Sequence, residues 1–194
     1  MKNLFKNTEF VFGVTSYRNL PEDIGSEVLL AGRSNAGKSS ALNILTDNPK
    51  LARISKTPGR TTEINFFEVE DGFKLLDLPG YGFAKSGRSR RKNWGPLLEE
   101  YFKNRQSLKA VLIFMDIRHP LKPIDHEMIK LCESFDIDYV AVLTKSDKVS
   151  KNISAKTIQQ VSEVINAKEI LVISSLNKIG FEKLRKVLIG FKYE

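Results

Sequence analysis

Residues 32–40 read GRSNAGKSS and match the spacing G-x-x-x-x-G-K-[ST]. These are the residue types that a phosphate cradle needs. Gly32 and Gly37 let the backbone curl until successive N–H groups face one anion, with Arg33, Ser34, Asn35 and Ala36 as the arc between them. Lys38 reaches the β- and γ-phosphates as a point charge, and Ser39 offers its hydroxyl to Mg²⁺. Ser39 and Ser40 open a helical stretch, whose N-terminus adds a partial positive charge.

Two further motifs suit the same chemistry. In DLPGYG (77–82), Asp77 can hold Mg²⁺ through a water. Leu78 and Pro79 turn the chain there, and Gly80 can aim its N–H at a γ-phosphate. Asp-Leu-Pro-Gly alone also describes a plain turn, so its meaning comes from following a phosphate loop. In TKSD (Thr144, Lys145, Ser146, Asp147), the Asp147 carboxylate can accept two hydrogen bonds from the ring N–H and amine of guanine. Adenine has no matching pair of donors on that edge. The stem of Lys145 can lie along the ring face, and Ser174 and Ser175 would offer backbone N–H groups to the guanine oxygen. Between cradle and hairpin, Gly59 and Arg60 precede Thr61 and Thr62, either of which could close over Mg²⁺ and the γ-phosphate.

Positioning these groups takes an alternation of strands and helices. The runs 27–32, 63–69, 73–78, 110–117, 138–144 and 169–175 read as strands, with 63–69 and 73–78 forming an antiparallel hairpin through EDG. Helical spacing recurs at Trp94, Leu97, Leu98, Tyr101 and Phe102, at Ile158, Val161, Val164 and Ile165, and at Phe181, Leu184, Val187 and Leu188. Pro123 opens a helix over 123–135. The expectation is an α/β fold: a mostly parallel six-stranded sheet with one antiparallel hairpin strand and helices on both faces. One domain spans 1–194, with a short N-terminal extension over 1–24. In such sheets ligands sit beyond the carboxyl ends of the strands, where every motif above falls.

The chain has 194 residues, 41% hydrophobic and 28% charged, with net charge +8. Residues 85–92 hold Lys85, Arg88, Arg90, Arg91 and Lys92 with no acid among them. Forked arginine donors on a flexible loop suit a phosphate backbone, so these five are the candidate nucleic-acid contacts. No run approaches the roughly 18 apolar residues of a membrane span, and neither MKNLF nor FKYE reads as a lipidation signal. A small-molecule kinase would leave TKSD unexplained, and a purely structural RNA-binding module has no need of DLPG. Cys132 reads as buried core, and His119 and His126 as structural or surface rather than acid–base residues.

The segments GRSNAGKSS, KTPGRTTEINFF, DLPGYGFAK, NWGPLLEEY, DIRHPLK and TKSDK, in that order, resemble the EngB family of bacterial ribosome-assembly GTPases. The resemblance implies a Ras-like P-loop fold, GTP and GDP binding with Mg²⁺, and GTP hydrolysis. It also implies a role in maturing the large (50S) ribosomal subunit and, through ribosome supply, in division and septation. Apart from the resemblance, the single cysteine fits a reducing cytosol, and a cytoplasmic monomer is expected. The partners the resemblance implies are rRNA and ribosomal proteins, not DNA or membrane. It assigns the magnesium threonine to Thr61, giving Ser39, Thr61 and Asp77 as metal residues and Lys38, Thr61 and Gly80 as catalytic ones. Tyr81 stands where Ras-type GTPases carry a water-orienting glutamine, so intrinsic hydrolysis is expected to be slow. K⁺ held near Asn35 is one candidate for completing it. The competing expectation is an RNA-binding assembly factor whose nucleotide site is regulatory with negligible turnover.

Overall fold

The computed structural model describes residues 3–52, 63–78 and 97–193. Seven strands form one sheet: β1 (Glu9–Val14), β2 (Ser26–Gly32), β3 (Ile64–Glu70), β4 (Phe73–Asp77), β5 (Leu108–Asp116), β6 (Asp138–Thr144) and β7 (Glu169–Val172). Their order is β1-β3-β4-β2-β5-β6-β7. β3 runs antiparallel to both its neighbours, and every other pairing is parallel.

The helices are α1 (Lys38–Leu45), α2 (residues 97–104), α3 (Pro123–Ser134), α4 (Lys151–Val164) and α5 (Phe181–Lys192). Strand alternation divides the core between them. Val28 and Leu30 of β2 join the cluster formed by α1 and α5, while Leu29 and Ala31 join the cluster formed by α2, α3 and α4. Because β2 is covered on both faces, all seven of its residues are buried. Leu97, Tyr101 and Phe102 pack inward from α2, as do Phe181, Leu184, Leu188 and Phe191 from α5. On α4 the buried stripe runs through Thr157 and Val161 and continues to Ile165 just past its end, and Val164 is turned out to solvent. Cys132 is fully buried, and burial pushes its thiol up to about 12.

The sheet departs from the sequence expectation at both edges. It has a seventh strand, β1, inside the segment read as an extension. Phe12 stacks on Phe66 at 4.8 Å and Phe10 meets Phe67 edge-on at 5.8 Å. These cross-strand partners lie more than fifty residues away, and β1 exposes most of its own side chains, so it lacks an alternating signal. At the other edge, β7 ends at Val172 rather than 175. Ser174 and Ile179 exchange backbone hydrogen bonds of 3.0 and 3.1 Å, which turns the chain back on itself.

Opposite the motif-bearing end, a buried ion pair fastens the sheet to α2. Glu27 is fully buried and accepts from Arg105 Nε at 3.0 Å and Nη2 at 2.7 Å, and from the Tyr101 hydroxyl. Arg105 Nη1 also donates to the Pro21 carbonyl at 2.7 Å.

Candidate nucleotide site

The loop leaves β2 in contact with β5. A Cβ on Gly32 would lie 2.8 Å from the Phe114 carbonyl oxygen, so only glycine allows that approach. Asn35 (φ 64°) and Gly37 (φ 92°) are both left-handed, a backbone pattern that gathers N–H groups into an anion-binding concavity. The turn closes with Ala36 N–H donating to the Arg33 carbonyl at 2.9 Å. α1 then begins at Lys38, whose side chain is 7% exposed. Its ammonium donates to the Asp77 carboxylate and to the Leu78 carbonyl, which ties the start of α1 to the end of β4.

Thr144 ties the TKSD motif to this loop. Its hydroxyl hydrogen-bonds the Ala36 carbonyl at 2.6 Å, and a Cβ on Gly37 would touch Thr144 at 3.4 Å. Lys145 follows in a left-handed conformation (φ 59°) that is uncommon for a non-glycine residue. Its ammonium is 2.9 Å from Asp116 Oδ2 at the end of β5. Ser146 N–H donates to the Ile173 carbonyl at 3.2 Å. Asp147 accepts from the Ser174 hydroxyl at 2.7 Å and has Lys148 Nζ at 3.5 Å. The Ser174 hydroxyl, with Lys148 beside it, holds the Asp147 carboxyl below its ordinary range.

A cleft of about 330 Å³ opens between Ser34, Asn35 and Ala36 of the loop and Asp116 and Lys145 at the ends of β5 and β6. Arg33 braces its rim, with Nη2 donating to the His119 carbonyl at 3.2 Å and Nε 3.5 Å from Asp125 Oδ2. Asp125, at the start of α3, is fully buried, and that burial raises its carboxyl above the ordinary value. His119 also lines the cleft and accepts from Arg33 through its backbone carbonyl, and His126 is half-buried on α3.

One expected role changes. The Ser174 N–H donates to Ile179, so Ser174 acts on Asp147 through its hydroxyl rather than offering a backbone donor to a base oxygen. The hairpin-like turn at 174–179 explains this, since it consumes the N–H locally. Gly59, Arg60, Thr61, Thr62, Pro79, Gly80, Tyr81 and the cations Lys85, Arg88, Arg90, Arg91 and Lys92 lie outside the described residues.

Sequence reading missed Asp116 and Arg118. Arg118 grips the Asp116 carboxylate through Nε at 2.9 Å and Nη2 at 2.6 Å, and its backbone N–H adds a third bond at 3.1 Å. The available signal was an Asp-x-Arg at the end of a predicted strand. Asn43 was also missed: from α1 it accepts from Ala52 N–H at 2.7 Å and donates to the carbonyls of Pro49 and Ala52 at 3.0 Å, anchoring the segment that leads to residues 53–62.

Comparison with known proteins gives a consistent picture. A family model described as 50S ribosome-binding GTPase matches residues 27–145. The probable GTP-binding protein EngB of Salmonella typhi is 47% identical over 193 residues, covering 97% of this chain and 92% of that protein. The EngB of Escherichia coli O139:H28 matches at the same identity and coverage. Two solved structures share the fold. One, of a probable GTP-binding protein engB, has a TM-score of 0.71 at 24% identity, covering 87% of this chain and 99% of that one. The other, Era in complex with MgGDPNP and nucleotides 1506–1542 of 16S ribosomal RNA, has a TM-score of 0.67 at 20% identity, covering 88% and 57%.

Proposed function

Since this chain belongs to the EngB family of GTP-binding proteins, we propose that it is a GTP-hydrolysing switch that assists assembly of the large ribosomal subunit. The observation that supports this most directly is the Thr144–Ala36 hydrogen bond. It locks a phosphate-type loop and a guanine-type reader onto one cleft, so a ligand with both a triphosphate and a purine can span them.

In this reading the loop from Gly32 to Ser40 takes the phosphates, with Lys38 offering them its ammonium from beside Asp77. Asp147, steadied by Ser174, reads the guanine edge while the Lys145 stem lies along the ring. The donor set suits a hard cation: the Ser39 hydroxyl lies in the first turn of α1, and the Asp77 carboxylate ends β4 at the same end of the sheet. Ser39, Thr61 and, through a water, Asp77 would hold Mg²⁺, which when bound neutralises charge developing on the β- and γ-phosphates. Thr61 and Gly80 close on the γ-phosphate. Tyr81 has no amide to orient a water, so turnover without a helper is slow. Asn35, exposed on the arc of the loop, is where K⁺ would supply missing positive charge. Turnover at equal ionic strength should then be several-fold faster in K⁺ than in Na⁺, and equal rates would remove the ion from the mechanism.

The basic loop at 85–92 docks on rRNA in a nucleotide-dependent way, in a monomer working in the cytoplasm and supporting division through ribosome supply. Sedimenting the protein with 50S subunits, loaded with GDP or a non-hydrolysable GTP analogue at two salt concentrations, tests this. Stronger, salt-sensitive co-sedimentation with the analogue is expected. Absence of binding in both states would leave a guanine-nucleotide hydrolase without a ribosomal role.

A further inference from the structure

We propose that Asp116 is the positioning residue for base selection: its carboxylate holds the Lys145 side chain across the cleft, where the lysine stem forms the purine wall, and keeps the lysine ammonium away from Asp147. This rests on the guanine-nucleotide reading above. The two residues sit where the sheet forces them together. β5 and β6 pair in parallel with Asp116 opposite Thr144, so Lys145 is the first residue past the register and its side chain meets the carboxylate.

Three observations set this pair apart from an ordinary surface ion pair. First, it lines the cleft, alongside Asn35 and Ala36 of the phosphate loop. Second, Asp116 is fixed before Lys145 reaches it: Arg118 takes both carboxylate oxygens, and the Asp116 side chain is only 10% exposed. Third, Lys145 holds a left-handed backbone conformation, the kind of local cost that persists only where surroundings over-determine it. A lysine side chain free to rotate has an obvious second partner, since Asp147 is two residues on and already has Lys148 at 3.5 Å. A carboxylate engaged by a second ammonium has fewer lone pairs for the two N–H groups of guanine. The Asp116 clamp thus does two things at once: it lays the stem flat and leaves the reading carboxylate open.

The test is a coupling measurement on the full chain. GDP and ADP affinities are determined by fluorescence competition for the wild type, Asp116→Asn, Lys145→Met and the double variant, with thermal unfolding of each as a folding control. D116N is expected to lower the GDP:ADP affinity ratio at least tenfold, mostly through GDP, because phosphate binding at the loop does not involve Asp116. In the K145M background, where no ammonium remains to be held, the same substitution should change the ratio by less than threefold. A folded D116N protein that keeps the ratio within twofold overturns the proposal, as does an undiminished effect of D116N in K145M. Should D116N not fold, Asp116→Ser takes its place under the same criteria. A wild type with equal GDP and ADP affinities would overturn the guanine reading itself, an outcome distinct from a selective wild type with an equally selective D116N.

Discussion

Asp147 can accept two hydrogen bonds from guanine only while its carboxylate is charged, and the Ser174 hydroxyl 2.7 Å away favours that state. Replacing Asp147 with Asn exchanges one acceptor oxygen for a donor. With charge-assisted bonds contributing about 1.5–3 kcal/mol each, GDP affinity should fall about 10- to 100-fold. Xanthosine diphosphate, which has a carbonyl where guanine has its amine, should bind the variant better than the wild type. Competition titration with both nucleotides checks this, and an unchanged GDP affinity would remove Asp147 from the base site. Asp116 gives a prediction in pH. Burial opposes its charge, but the Arg118 and Lys145 bonds outweigh that and hold its carboxyl well below the ordinary 3.8. Its contribution to stability is therefore complete above that value and drains away on acidification. The Tm gap between wild type and D116N should be present at pH 6 and shrink toward pH 3, as read by thermal unfolding across that range.

The elements divide into a working end and a fastening end. The loop from Gly32 to Ser40, Asp77, Asp116, Thr144 and Ser174 all lie at or just past the carboxyl ends of strands, where loops converge on a point beside the fully buried β2. The Glu27–Arg105 pair fastens the other end of β2 to α2, about 16 Å from Gly32 at 3.3 Å per strand residue. Glu27 is fully buried, and the Arg105 side chain is 4% exposed. Removing one partner would leave an uncompensated charge in the interior, at a cost of about 3–5 kcal/mol. Arg105→Met should accordingly lower stability by that amount in urea unfolding, with GDP affinity little changed under native conditions. A large loss of affinity in a folded variant would mean that the two ends are coupled.

At the scale of the whole molecule the charge of +8 is uneven, and the run at 85–92 is its densest part. If that run meets rRNA, reversing Arg90 and Arg91 to Glu should weaken co-sedimentation with 50S subunits. Its salt dependence should also flatten by about one unit of slope for each phosphate that the variant no longer neutralises. GDP affinity should stay the same, because neither residue belongs to the loop or the base reader. Unchanged sedimentation would make the run solvated surface.

The parts of this protein legible in its sequence are those whose physics is local. Glycines at fixed spacing announce a loop that curls around an anion, alternating apolar runs announce buried strands, and EDG between two of them announces a hairpin. Those signals sufficed for a mostly parallel α/β sheet and for placing the Gly32–Ser40 loop and the TKSD motif at the ends of its strands, and the motif order carried the family. What the tertiary structure decided depends on register between distant segments. β1 is a strand because it pairs along β3, where Phe12 and Phe10 meet Phe66 and Phe67. Ser174 supports Asp147 through its hydroxyl because Ile179 folds back to take its N–H. Lys145 meets Asp116 because β5 and β6 align at Thr144. The turn from Ser174 to Ile179 is local, but the β1–β3, Ser174–Asp147 and Lys145–Asp116 contacts leave no mark in local spacing, since each is set by which strands become neighbours, and that is determined only when the two faces of the sheet are buried together.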